Sequence, residues 1–124
     1  MTWLAISLGA SIGACLRYLL SAWLNSLHEQ IALGTLVANL AGGFMIGIAV
    51  GFFGSHPGLS PAWRMFAVTG FLGGLTTFSS FSAESMLLLQ RGELGWALGH
   101  SVVHLIGSIA FCFAGLAAYR ALSA

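Results

Sequence analysis

The sequence predicts an all-α integral membrane protein of four transmembrane helices with a break in the third, paired as an antiparallel, dual-topology homodimer. Three observations lead there. Of 124 residues, 58% are hydrophobic and only 6% charged, more apolar surface than a water-soluble fold of this size can bury. The apolar residues fall into four runs close to the roughly 20 residues a bilayer requires. Within the third run, Thr69 to Ser85 reads TGFLGGLTTFSSFSAES; glycines and hydroxyls gathered at membrane depth survive only where they face protein or a polar passage.

The first span is expected over residues 3–24. It starts at Trp3 with no basic stretch before it and carries Arg17 in place of a small-residue cleavage site, so it reads as a retained helix and not a signal peptide. The second span is expected over 31–53, the third over 63–89 and the fourth over 96–119, making residues 1–124 a single four-span membrane domain. Trp3, Trp23, Trp63 and Trp96 all fall near run ends, where an indole keeps its ring in the interface and its N–H wet. The connections 25–30, 54–62 and 90–95 are short and hold both prolines, Pro57 and Pro61, at points where helices stop. Small residues recur at four-residue spacing in Gly9/Gly13, Gly43/Gly47/Gly51, Gly70/Gly74 and Gly95/Gly99. Such pairs encode ordinary close packing of helices.

Charge is sparse and evenly divided. Arg64 and Arg120 belong to the side that holds both termini, Arg91 and Arg17 to the other, so the positive-inside bias is close to zero. A chain without that bias inserts in both orientations, and opposed copies pair about an axis in the membrane plane; this is the basis of the expected homodimer. With a net charge of +1 and no lysine, neither nucleic acid nor an anionic lipid surface is an evident partner. Cys15 and Cys112 lie inside spans and read as small hydrophobes. No Ser/His/Asp set, carboxylate pair or phosphate loop is present, so the chain is not expected to be an enzyme.

The polar residues within the spans point to a pathway. Gly70, Gly73 and Gly74 loosen the third helix, and Thr76, Thr77, Ser79, Ser80 and Ser82 can satisfy the backbone groups a break releases. The run is read either as a discontinuous helix over 73–79, whose freed carbonyls suit a small hard cation such as Na⁺, or as a glycine kink with its hydroxyls bonded back. Phe78, Phe81 and Ser85 share a helical face. Their ring rims are electropositive and can support an unhydrated halide, or the rings simply pack against lipid or a neighbour. Asn39 reads equally as a pore-lining donor and as an interhelical brace. Ser101, His104 and Ser108 form a polar track along the fourth span. His100 and His104, four apart, could ligate a metal, but no Asp or second-helix histidine supports such a site, which favours hydrogen-bonded structural roles. Glu84 is the only acid inside a span, and burying it ionised is expensive. Arg17 snorkels to the interface or forms a positive vestibule.

The motifs GTLVANLAGGF at Gly34 to Phe44, GGLTTFSSFSAE at Gly73 to Glu84 and HLIGS at His104 to Ser108 resemble those of the Fluc (CrcB) fluoride channels, and the likeness spans essentially the whole chain. The resemblance implies a passive, fluoride-selective channel of a prokaryotic inner membrane, exporting cytoplasmic fluoride through two pores per antiparallel dimer. Carried over, it implies that Phe78 and Phe81 supply aromatic edges and Asn39 a pore-lining donor, with Thr77, Ser82 and Ser108 as further fluoride contacts. It places Glu84, Ser85 and His104 in a polar track, Arg17 in a vestibule, and the main-chain carbonyls of Gly73 and Thr76 on a central structural Na⁺. It gives His100 no role. Two rivals are a small multidrug exporter that exchanges protons at Glu84 and a haem-anchor subunit using His100 and His104.

Overall fold

The computed structural model describes residues Met1–Ala124 and consists of helices alone. Helix α1 spans Thr2–Leu24 and runs into a 3₁₀ turn, Asn25–Leu27; α2 spans Leu33–Ser55. The third apolar run is divided: α3 (Pro61–Arg64), a π-helical stretch (Met65–Leu72) and a last short turn, α4 (Gly73–Leu75), precede the break, and α5 (Phe78–Gln90) follows it. Helix α6 spans Leu94–Ser123. Three continuous helices are long and apolar enough to cross a membrane: Thr2–Leu27, Leu33–Ser55 and Leu94–Ser123. The expected third span of 63–89 is not one helix, because Thr76 and Thr77 adopt extended backbone (ψ 156° and 123°). The interruption is narrower than the sequence suggested, since Gly73 and Ser79 are both helical.

The first two connections are closed by specific polar contacts, the third by a glycine turn. Asn25 Oδ1 accepts the N–H groups of Gly34 (2.7 Å) and Thr35 (3.2 Å), capping α2 from the preceding turn and satisfying donors its own first residues leave free. His28 Nδ1 accepts from Gln30 and Ile31 in the same loop. Ser60 accepts the Ala62 N–H, and Pro61 occupies the first helical position, where a missing N–H costs nothing. Between α5 and α6 the chain reverses at Gly92, whose φ of 74° is cheap only for glycine. Glu93 is half-buried, with Oε2 enclosed and unpartnered.

Glycine contacts set how close the helices lie. A Cβ on Gly9 or Gly13 would collide with the backbone of Phe66, Phe71 and Leu75, and one on Gly70 would lie 2.7 Å from the Ile6 carbonyl. Helix α1 and the π stretch therefore pack backbone to backbone. Helix α2 packs most extensively on α6, where Gly43 faces the Ser108 carbonyl, Gly47 the Cys112 carbonyl and Gly115 the Phe44 carbonyl. Gly95 and Gly99 meet nothing within 4 Å, so that pair, expected to pack helices, makes no such contact within the chain. Only 15 of the 124 residues are buried, and Trp3, Trp23, Trp63 and Trp96 are all exposed, as a lipid-facing surface with interfacial indoles requires.

These contacts separate two classes of glycine. Gly47→Ala should destabilise the protein by about 1–3 kcal/mol, because the new methyl must displace backbone. Gly54→Ala, which meets open space, should leave the thermal midpoint in detergent within a degree or two of the parent, by the scale on which about 1 kcal/mol moves a small domain several degrees. Equal midpoints for both variants would disprove the packing assignment.

Candidate functional site: a cleft at the helix break

Asn39 holds the break open. Its Oδ1 accepts the Thr77 N–H (2.8 Å) and its Nδ2 donates to the Thr77 carbonyl (3.0 Å), so one side chain of α2 occupies both backbone groups of the residue between α4 and α5. In an uninterrupted helix that N–H would bond to the Gly73 carbonyl; here Gly73 has lost its helical donor. Thr76 has lost its own in the same way, because the Ser80 N–H is taken by Thr77 Oγ1 (3.1 Å), which caps α5. Asn39 is thus an interhelical brace that also lines the cleft; its two N–H groups are spent on the Thr77 carbonyl and on His104, so the pore-lining donor reading loses its free donor.

The expected local hydroxyls do part of this work. Thr76 Oγ1 donates to the Leu72 carbonyl and Ser82 Oγ to that of Phe78, both back-bonds within the helix. The remaining bonds come from far along the chain. Arg17 Nε donates to the Gly74 carbonyl at 3.1 Å, a third carbonyl at the break, so this half-buried arginine turns inward and binds the break instead of snorkelling freely outward.

Phe78, Phe81, Asn39, Thr76, Thr77, Gly73, Ser101, His104 and Ser108 all line one cleft of about 780 Å³ between α2, α6 and the two halves of the broken span. The helical-face readings, Phe78 with Phe81 and Ser101 with His104 and Ser108, thus converge on one space. No formally charged side chain lines it. Phe78 is 79% exposed in the single chain, and its centroid lies 5.5 Å from that of Phe81. Ser82 and Ser85 line a neighbouring cleft that shares Phe81 and Ser101 with the first.

Behind Phe81 lies a buried polar cluster. Glu84 accepts from Thr35 Oγ1 (2.7 Å) through Oε2 and faces His100 Nε2 (3.1 Å) through Oε1; Ser85 Oγ meets His100 Nδ1 at 2.9 Å. His104 Nδ1 lies 3.1 Å from Asn39 Nδ2. Because the Thr77 N–H fixes which end of the Asn39 amide is oxygen, the amide nitrogen must donate to His104, and Nδ1 must accept. A neutral His104 then carries its proton on Nε2, a buried atom with no hydrogen-bond partner. That N–H is a free donor on a residue that lines the cleft.

Ligand atoms of Glu84, His100 and His104 lie within 4.8 Å of one another, so the carboxylate of Glu84 from α5 stands beside the two histidines of α6. Two imidazoles and a carboxylate are a transition-metal set in type. Their lone pairs are spent otherwise: Glu84 and His100 bond to each other, and Asn39 occupies the one acceptor nitrogen of His104. Glu84, His100 and Ser85 form a hydrogen-bonded cluster, with the His104 ring packed beside it. His100, given no role by the resemblance but a hydrogen-bonded structural one by its residues, is its centre at 1% exposure. A signal was present: the only acid inside a span needs donors, and Thr35 and His100 stand one turn before Asn39 and His104 respectively.

Residues 4–116 match the family described as CrcB-like protein, Camphor Resistance (CrcB). The chain is 58% identical over 114 residues to a protein of Tolumonas auensis named fluoride-specific ion channel FluC, covering 92% of this chain and 90% of that one. It is 55% identical to the protein of the same name from Cupriavidus pinatubonensis, over 96% of this chain and 94% of the other. The corresponding figures for that of Pseudomonas aeruginosa are 54%, 91% and 89%.

Asn39→Leu leaves the N–H and carbonyl of Thr77 unpaired beside an apolar side chain. It should lower stability in detergent by at least about 2 kcal/mol, since each buried group left unpaired costs about 1–3 kcal/mol. Asn39→Gln, which keeps the amide, should recover part of the loss. Parental unfolding of Asn39→Leu would show that the break does not depend on the clamp.

Proposed function

The chain belongs to the CrcB-like family, and we propose that it acts in a membrane as its relatives are named, as a fluoride-specific ion channel. The observation that carries this reading is the convergence of two phenylalanines, several hydroxyls and an imidazole on a cleft that no formally charged side chain lines. An anion leaving water must be offered positive partial charge at several points, none so strong that it cannot leave. Phe78 and Phe81 supply aromatic rims. His104 Nε2–H and the hydroxyl of Ser108 supply proton donors, while Thr77 and Asn39 hold the break that places the rings. Ser82 and Ser85 extend the hydroxyls away from the cleft along α5, toward the helix end. Neutral donors also favour the small, hard halide over chloride when the path is narrow enough to strip water.

Transport of this kind is passive. Hydrogen fluoride, a weak acid, crosses membranes uncharged and ionises in a neutral cytoplasm. The membrane potential then drives the anion outward by about 2.3 kcal/mol per 100 mV, so no nucleotide or pump is required. The exporter reading fits less well, because Glu84, the carboxylate it needs, does not line the cleft and has both oxygens engaged.

The functional unit in this reading is an antiparallel dimer in a prokaryotic inner membrane, with a cleft on each copy giving two pores. Two features favour a partner: Phe78 is largely uncovered in the single chain, and the arginines are divided evenly between the two sides. A structural Na⁺ fits the break. Hard cations take oxygen ligands, and the carbonyls of Gly73 and Thr76 have both been released from helical bonding by Asn39 and Thr77. Two carbonyls are too few to enclose such a cation, whereas paired breaks of two copies would double the number. Bound there, Na⁺ would supply positive charge that balances the exposed carbonyl ends.

Proteoliposomes loaded with fluoride should release it on addition of a potassium ionophore, with chloride retained, as read by an ion-selective electrode. Phe78→Ile and Phe81→Ile should each cut the flux at least about tenfold, the scale of losing one aromatic contact, without changing the elution volume in detergent. Unaltered flux in both variants would remove the ring-rim mechanism. Replacing Na⁺ by N-methylglucamine should lower the thermal midpoint of the wild type, and an identical midpoint in the two salts would remove the cation.

A further inference from the structure

We propose that His100 is a positioning residue for Phe81, a buried imidazole held by hydrogen bonds at both nitrogens so that it fixes the plane of the ring that lines the cleft. The proposal rests on the fluoride-channel reading for its functional consequence, and on geometry for the positioning itself.

His100 and Phe81 lie nearly parallel, 17° between planes and 5.0 Å between centroids. The imidazole cannot swivel freely, because Nε2 is bonded to Glu84 Oε1 and Nδ1 to Ser85 Oγ. Glu84 is itself fixed by Thr35 from α2. Three helices thereby act on the orientation of one ring: α2 through Thr35, α5 through Glu84 and Ser85, and α6 through His100. His104 completes the support, with its ring 4.8 Å from Phe81 and 4.5 Å from His100. Phe78 has no comparable buttress; it is mostly exposed, with Phe81 its one aromatic neighbour.

Orientation matters because an aromatic ring is two-sided in its electrostatics. Its rim is positive and attracts an anion; its faces are negative and repel one. His100 covers one face of Phe81, removing a repelling surface and preventing the ring from turning that face into the cleft. The cluster also separates two tasks. The carboxyl group of Glu84 is used behind the ring, bonded to Thr35 and His100, while no formally charged side chain lines the cleft. The Ser85 hydroxyl can donate or accept, so it pairs with His100 Nδ1 whichever nitrogen carries the proton. Every polar atom of His100 is then satisfied, and nothing is left over with which it could bind the anion.

The test needs one readout of the ring and one of transport. In wild-type protein carrying 3-fluorophenylalanine at position 81, a held ring should give two slowly exchanging fluorine resonances, one for each flip state. In His100→Ala the two should merge, and fluoride efflux from proteoliposomes should fall about tenfold, the scale of one aromatic contact, with a lower fluoride-to-chloride ratio. His100→Phe refills the space and keeps the face covered but has no hydrogen-bond tethers. It should show partial merging and an intermediate flux and ratio, and it carries the test if the alanine variant does not fold. Reduced flux with two sharp resonances retained would mean that His100 acts on the ion and not through the ring, and would overturn the proposal. Merged resonances with wild-type flux and selectivity would overturn its functional half. If the wild type conducts no fluoride, the channel reading fails on that result alone, and the fluorine spectra still decide whether His100 holds the ring.

Discussion

The carboxamide of Asn39 is the contact on which the site depends. By taking both the N–H and the carbonyl of Thr77, it makes good the bonds that a broken helix forfeits in a medium without water. It frees the carbonyl of Gly73 in doing so. Its orientation is fixed by the backbone it binds, and it passes that information to His104 by donating to Nδ1. One side chain therefore sets the shape of the break, the release of a carbonyl and the placement of an imidazole proton. A half-satisfied amide at this depth would be costly, so the clamp and the break stabilise each other.

Around that clamp the packing is built from glycine. Backbone-to-backbone contact between α1 and the π stretch, and between α2 and α6, leaves little room for adjustment at either side of the cleft. The π stretch carries the chain with wide turns into the short α4 and then to Thr76, where the helix gives way to extended backbone. Arg17 adds a long-range bond to the Gly74 carbonyl. The break is therefore an over-determined feature with partners from α1 and α2, and not a flexible joint.

The polar groups are sorted by depth behind the cleft. Neutral donors and rings face it; the one carboxylate inside a span lies behind Phe81 with a hydrogen-bond partner on each oxygen. This arrangement suits weak anion binding, because a lone carboxylate in the path would repel the ion and a lone cation would trap it. The two buried histidines flank the phenylalanine differently: His104 also lines the cleft, and His100 covers a ring face.

The sequence by itself determined the helical membrane class, the four apolar runs and the place of the interruption, because hydropathy, interfacial tryptophans and the glycine-hydroxyl cluster around Gly73 to Ser82 are local signals read within one helix. Helical periodicity also grouped Phe78 with Phe81, and His104 with Ser108, correctly by face. What only the tertiary structure decided is how those faces meet. Asn39 to Thr77 spans 38 residues, Thr35 to Glu84 spans 49 and Arg17 to Gly74 spans 57, and no periodicity links positions so far apart. His100 shows the limit most plainly: along its own helix it is one polar residue a turn before another. It becomes the centre of a network only when α5 brings Glu84, Ser85 and Phe81 against it. Gly99 shows the converse, a packing motif in sequence that meets no neighbour within the chain, because a stripe of small residues encodes the capacity for close approach but not the partner.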